Sequence, residues 1–365
     1  METFPLEQLD LGGAKELQFQ WVAAIARHFD GRAILQAGDY GLWSDTGRPH
    51  YTARVEAVLA DLFGTEDASL VRGAGTGGLR SVMMAALRPG QKILMHQAPV
   101  YPTTLVTIEA MGLQPVYIDL NDPGALEEAS KIEVGHALLQ HTRQRPGDRY
   151  RLAELIAALK AALPNLVIIV DDNYAAMRVP KIGVQLGANV STFSLFKLLG
   201  PEGLGCVLAD RKLVEQIRRQ NYSGGTQVQG VEALEALRAL TYAPVALAIQ
   251  AEVVDEVATR LNAGEVEGVQ KAYVANAQSR VVLVELDKPQ AKEVLEESVS
   301  FGAACHPVGA ESRYEVLPLF YRVSGTFRKE NPELADRMIR INPVRAGADL
   351  VIEILSKSIR ACRGH

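Results

Sequence analysis

One lysine stands where a lysine is chemically useful. Lys197 has Leu195 and Phe196 before it and Leu198 and Leu199 after it, just beyond a β-rich run, Val190–Phe193. Loss of water disfavours the ammonium form, so a lysine in such surroundings titrates below its ordinary range. The free amine that results is what capture of a carbonyl as a Schiff base requires. A lysine snorkelling from the edge of a buried strand would have the same neighbours. Its company favours chemistry. Ser194 precedes it, Gly200-Pro201-Glu202-Gly203-Leu204-Gly205 follows it, and far upstream Asp171-Asp172-Asn173-Tyr174 follows the apolar run Leu166–Val170.

A second group of residues suits an anion. Gly73-Ala74-Gly75-Thr76-Gly77-Gly78 lies between an expected strand, Ala68–Arg72, and an expected helix, Leu79–Leu87. Backbone N–H groups and the helix dipole both point at a ligand held there. Gly73, Gly75 and Gly78 also fit the G-x-G-x-x-G spacing of dinucleotide sites. That reading wants an acid after the second strand to hold the ribose. The second strand, Lys92–Met95, ends instead in His96 and Gln97, and no Lys-Ser/Thr pair follows the glycines. A phosphate cradle of another kind is the better reading.

The elements that must position these residues alternate. Helices are expected over Glu16–His28 and Tyr51–Phe63, the latter closed by Gly64. Beyond the glycine run come strand Lys92–Met95, helix Thr103–Met111, and strands Pro115–Asp119 and His136–Gln140. Helix Leu152–Ala162 and strand Leu166–Val170 follow. This order predicts an α/β fold, a mainly parallel sheet sandwiched by helices. Ligands in such sheets sit beyond the carboxyl ends of the strands. The glycine cradle, Tyr101, His141, Asp171 and Lys197 all follow strands, so one mouth can collect them.

After Gly205 a strand, Cys206–Ala209, and a helix, Arg211–Arg219, lead to Gly224-Gly225-Thr226 and a long helix, Val231–Asn262, with Pro244 as an expected kink. The remainder predicts strand Arg280–Glu285, helix Gln290–Glu297, short strands near Ala303 and over Glu315–Leu319, strand Met338–Ile341 and helix Leu350–Ala361. The expected division is an N-terminal arm and helix over 1–50, a large ligand-binding domain over 51–249, and a smaller α+β domain over 250–365.

Bulk properties remove some partners. The 365 residues are 48% hydrophobic and 22% charged, with a net charge of −5. Nothing in that balance attracts nucleic acid or an anionic membrane. Cys206, Cys305 and Cys362 are odd in number and far apart, which makes neither a disulfide framework nor a metal-ligand pair and suits a reducing cytoplasm. METFPLEQLD carries acids and no apolar core of a signal peptide, and Leu166–Val170 is far too short to span a bilayer.

Taken together, the glycine loop, the aromatic turn around Tyr101, Asp-Asp-Asn-Tyr after a buried strand and Ser-x-x-Lys resemble the fold-type-I pyridoxal-phosphate enzymes, the aspartate-aminotransferase-like superfamily. The run Lys197–Gly205 looks most like its class V members. The resemblance covers the chain from about Tyr51 onward and implies pyridoxal 5'-phosphate as cofactor. Lys197 would carry it as a Schiff base and move the α-proton. Asp171 would hold the pyridine nitrogen protonated, although Asp172-Asn173 resembles the Asp-Asn of the cystathionine-synthase branch one residue later. Tyr174 would face the phenolic oxygen and Tyr101 would stack on the ring. Gly75, Thr76 and Ser194 would hold the phosphate, with Thr226 reaching the phosphate of a neighbouring subunit in a homodimer with shared active sites. Arg340 would bind the substrate carboxylate, with Arg345 as a competitor and Asn342 where the family has serine. The family's Asn-Pro-x-Gly is absent from the His141-Thr-Arg143-Gln144 region, leaving Gln144 as a substitute, and Phe196 replaces the histidine common before the lysine. The implied activity is aminotransfer from an amino acid or other primary amine. The alternative is β/γ-elimination, favoured by Tyr51-x-x-Arg54 and Asp172-Asn173; a non-catalytic cofactor-binding module and a nicotinamide-dependent dehydrogenase are further alternatives.

Overall fold

The structure, a computed structural model, describes residues 1–122, 124–308 and 311–363. Seven strands form the larger sheet: β1 (Asp67–Arg72), β2 (Lys92–His96), β3 (Gln114–Ile118), β4 (His136–Gln140), β5 (Val167–Asp171), β6 (Val190–Ser194) and β7 (Leu204–Ala209). Their order is β1-β7-β6-β5-β4-β2-β3, and only β7 runs antiparallel to its neighbours. Helices α1 (Leu11–His28) and α2 (His50–Phe63) cover one face near β1 and β7. Helices α3 (Ala74–Ala86), α4 (Pro102–Ala110), α5 (Ala125–Ser130), α6 (Leu152–Ala162) and α7 (Arg211–Gln220) complete the layers. With both faces covered, the central strands read as unbroken apolar runs: Ile168, Ile169 and Val170 of β5 are fully buried.

The glycine run belongs to α3 rather than preceding it. The helix expected from Leu79 opens at Ala74, because Gly73 takes a left-handed conformation (φ +91°) and turns the chain into it. The next glycines let α3 lie directly on the sheet. A Cβ on Gly78 would strike the Thr192 hydroxyl of β6, and one on Gly77 the carbonyl of Arg72.

Helix α8 (Gly230–Asn262) runs on through Pro244 and links two cores. Its residues up to Leu247 pack with Trp21, Phe63 and Phe193, and those from Val254 onward pack with Val282, Phe320 and Ile339. On length and composition alone α8 could cross a membrane, but half of that window is buried inside the protein.

The smaller C-terminal domain is built on an antiparallel sheet of β8 (Val269–Ala277), β9 (Ser279–Leu286), β10 (Leu319–Arg322) and β11 (Met338–Asn342), ordered β10-β11-β9-β8. Helices α9 (Ala291–Ser300), α10 (Gly325–Glu330), α11 (Leu334–Arg337) and α12 (Ala348–Arg363) accompany it. Three points differ from expectation here. β8 has no counterpart among the expected strands, since its alternation is irregular and it meets β9 at Gln278 (φ +74°), a residue type that does not itself mark a turn. The strand expected over Glu315–Leu319 begins only at Leu319, because Pro318 and the residues before it form loop, and the strand expected near Ala303 is a single bridge, Ala304 to Leu319.

Candidate active site

The carboxyl ends of β4, β5 and β6 meet the N-termini of α3 and α4 around a cavity of about 170 Å3. Gly75 and Thr76 enter it from α3, Tyr101 from the N-cap of α4, Asp171 from the end of β5 and Ser194 from the end of β6. Asn173, Tyr174 and Lys197 come from the turns after β5 and β6. Gly75, Thr76, Tyr101, Asp171, Tyr174, Ser194 and Lys197 therefore share it, whereas His141, also expected at this mouth, is buried against Asp172 outside the lining.

The Lys197 amine lies 4.0 Å from the centre of the Tyr174 ring, a cation–π distance when the amine is charged. Burial nevertheless holds Lys197 below the ordinary lysine range, with Arg178 adding to the fall and Tyr101, Asp171 and Glu311 opposing it. Burial pushes Asp171 the other way, above the ordinary carboxylate range. Two hydrogen bonds to its Oδ1, from the Asn173 N–H at 3.0 Å and Asn173 Nδ2 at 2.7 Å, pull it back, as does Lys197. Burial likewise raises the Tyr174 phenol. Tyr174 holds a left-handed backbone, φ +62°, which is uncommon for a non-glycine residue and aims its ring into the cavity.

The two adjacent aspartates have different tasks. Asp171 lines the cavity. Asp172 is fully buried elsewhere, 2.6 Å from His141 Nδ1 and accepting from the Gly183 N–H at 3.1 Å.

The donors present fit a phosphorylated pyridine. Ser194 Oγ is buried and has no hydrogen-bond partner among the described residues, so a ligand oxygen is its natural complement. Thr76 Oγ1 lies 3.0 Å from Thr103 Oγ1 at the first turn of α3, where helix N–H groups converge. Gly75 lets the Asn173 carboxamide lie where a Cβ would clash with it, so the backbone of α3 comes close to the residue that holds Asp171. Asp171 offers a carboxylate and Lys197 an amine in the same cavity.

Other expected residues lie outside this lining. Arg340, on β11, is buried behind Gln278: its Nη1 donates to the Ala277 carbonyl at 2.7 Å and reaches Gln278 Oε1 at 3.4 Å, and its guanidinium stacks 3.9 Å from the Tyr321 ring centre. Arg345 is bound to the Ala246 carbonyl at 3.3 Å. Thr226 is exposed and holds only its own turn, donating to the Ser223 carbonyl at 2.8 Å. Gln144 turns its amide to the Pro99 carbonyl at 3.1 Å, so it is not in the cavity. The residues there instead are Gln140 and Thr142, whose side chains bond each other at 3.1 Å. Sequence reasoning passed over these two, and also Thr103, Asn173 as a lining residue and Gln278. The available signal was position: Gln140 ends β4 beside Asp171 in register.

A mixed sheet with a desolvated lysine, a strand-end aspartate and an anion cradle at one mouth defines a fold-type-I pyridoxal-phosphate enzyme. Comparison with known proteins agrees. The family model for aminotransferase class I and II matches residues 10–241, and that for the YhfS-like C-terminal domain matches residues 255–355. The chain is 51% identical to the protein YhfS of Escherichia coli strain K12, over 98% of this chain and 99% of that one. The crystal structure of the pyridoxal-5'-phosphate-dependent YhfS from Escherichia coli superposes with a TM-score of 0.96 at 50% identity, covering 99% of this chain and all of the other. A shorter match, 27% identical over 46% of this chain and 42% of the other, is to the L-methionine gamma-lyase of Pseudomonas putida. The fold alone is shared with the methionine gamma lyase CalE6 of Micromonospora echinospora, with a TM-score of 0.72 at 16% identity over 94% of this chain and 98% of that one. The chain belongs to the aminotransferase class I and II family, and its cofactor is pyridoxal 5'-phosphate. The matching model is that of classes I and II, where the Lys197–Gly205 run by itself pointed to class V.

Proposed function

We propose that the protein is an aminotransferase that takes the amino group of an amino acid or another small primary amine. It would do so at a site completed across a homodimer in the cytoplasm. The observation that carries the reading is the facing of Lys197 and Asp171 in one cavity, the amine held below its usual range and the carboxyl above it. Pyridoxal 5'-phosphate, when bound, supplies the sink for the electrons left on the substrate's α-carbon.

The chain's own residues do the rest. Lys197, its ammonium form disfavoured by burial, holds the cofactor covalently and, once displaced by the substrate amine, takes and returns the proton at the α-carbon. Asp171, fixed by Asn173, holds a proton on the pyridine nitrogen. Tyr101 covers the ring, Tyr174 keeps water from the Lys197 nitrogen, and Gly75, Thr76 and Ser194 bind the phosphate. Arg340 receives the substrate carboxylate with its planar fork, which requires Gln278 to yield the guanidinium. The three cysteines are free, which supports a reducing compartment.

A second reading, β/γ-elimination, is favoured by the partial likeness to a gamma-lyase. Both chemistries begin with the same proton and part at the next one. The deciding experiment supplies a panel of amino acids together with a keto-acid acceptor. Transamination yields a keto acid and a new amino acid in equal amounts without free ammonia. Ammonia release that does not need the acceptor would establish elimination instead.

A further inference from the structure

Beneath the cavity a second polar group joins the two domains. Glu311 is fully buried and holds a left-handed backbone, φ +84°, a conformation that persists in a non-glycine residue only where the surroundings impose it. Its carboxylate accepts from three separate elements: Arg178 Nη2 in the turn after β5, Gln250 Nε2 on α8, and Asn342 Nδ2 on β11 at 3.1 Å. The same Arg178 nitrogen donates to the carbonyl of Lys197 at 3.0 Å, and the guanidinium lies 5.9 Å from the Tyr174 ring centre. Tyr174 is the ring over which the Lys197 amine sits. Neither Glu311 nor Arg178 lines the cavity.

A buried ion pair is poor value as mere packing. Desolvation opposes the attraction, and apolar residues of the same volume often stabilise a fold as well or better. This pair sits where its charges act on the lysine from below and where its hydrogen bonds fix the lysine's own backbone. We propose that Glu311 and Arg178 are positioning residues for Lys197. They clamp the lysine turn and the Tyr174 ring to the C-terminal domain, and their balanced charges set how readily the Lys197 nitrogen keeps a proton. Asn342 extends the clamp to β11, the strand that also carries Arg340. The inference rests on Lys197 as the attachment point of the cofactor.

The groups that face Lys197 are Tyr101, Asp171, Tyr174, Arg178 and Glu311, and the first three stay unchanged when the clamp is altered. In Glu311→Gln the Arg178 cation loses its counter-charge, which disfavours a proton on the Lys197 nitrogen. In Arg178→Gln the cation is gone, and the proton is favoured. The test uses the holoenzyme. Borohydride reduction and peptide mapping first locate the pyridoxyl mass; its absence from the Lys197 peptide would remove the premise and with it the clamp. With the mass on Lys197, the visible absorbance of the bound cofactor is titrated with pH. The expected result is a midpoint lowered in Glu311→Gln and raised in Arg178→Gln, each by about half a unit or more, roughly threefold in proton affinity. The double variant returns towards the native midpoint. Opposite signs cannot come from a loosened fold. Midpoints that stay put, or that move in the same direction, overturn the proposal. Should Glu311→Gln fail to fold, the rise in Arg178→Gln decides alone.

Discussion

At the residue scale the adjacent aspartates show how one position divides function from stability. Asp171 is pushed above the usual carboxylate range by burial, so the folded chain binds its proton more tightly than the unfolded chain does. That contribution to stability is full below the ordinary aspartate range and is lost as pH rises through the folded value. At neutral pH Asp171 is therefore a cost to the cofactor-free fold. Asp171→Asn should leave the cofactor-free melting temperature at pH 7 unchanged or higher while cutting turnover by about 100-fold or more, some 2.7 kcal/mol of barrier. Asp172→Asn should do the reverse. It weakens the acceptor for buried His141 and Gly183 and should cost about 1–3 kcal/mol of stability, with the residual activity per folded molecule largely kept. Melting curves and turnover on both variants check the pair. A crippled but stable Asp172→Asn would move the pyridine partner by one residue. The sequence showed that two carboxylates end β5; which one faces the cavity depends on the strand's register in the sheet, which no local pattern encodes.

At the scale of elements, strands were legible where both faces are buried, because a continuous apolar run such as Val167–Val170 has few alternatives. The C-terminal domain was harder. β8 alternates buried and exposed positions irregularly, and it turns at Gln278, whose side chain gives no turn signal. The site followed the same division. Lys197, Asp171, Tyr174, Tyr101, Gly75, Thr76 and Ser194, which belong to recognisable motifs, line one cavity, whereas Gln140 and Thr142, which line it too, carry no motif. The glycines of α3 show what an element must give up to reach a ligand. Gly75 packs against the Asn173 carboxamide, which holds both the Asp171 carboxylate and the Ser194 N–H, the latter at 2.9 Å. Gly75→Ala keeps helical backbone and even raises helix propensity. It should nonetheless displace Asn173 and weaken cofactor retention roughly tenfold, about 1.4 kcal/mol. Equilibrium dialysis against pyridoxal 5'-phosphate measures this; unchanged affinity would mean that Asn173 has room to move without disturbing the aspartate.

At the scale of the whole molecule, the surface around Thr226 carries exposed aromatic side chains. Tyr222 is 70% exposed, Tyr40 70% and Trp43 46%. The loops that carry them are tied together: the Gly41 N–H donates to Gln229 Oε1 at 2.9 Å, Gln229 Nε2 to the Gly224 carbonyl at 3.1 Å, and Gln227 Nε2 to the Gly47 carbonyl at 2.9 Å. Exposed aromatic residues held on braced loops mark a surface meant to be covered. A second copy of the chain is the occupant that would also give Thr226 a task, since among the described residues its hydroxyl reaches nothing beyond Ser223. Sedimentation equilibrium should therefore find a dimer. Thr226→Ala should stay dimeric and folded by circular dichroism, yet lose cofactor faster on dilution. Tyr40→Asp combined with Trp43→Asp should give monomers that lose both cofactor and turnover, because each cavity then lacks the contribution of its neighbour. A fully active monomer would refute the shared site, and a dimer whose Thr226→Ala variant retains cofactor like the native protein would remove Thr226 from it.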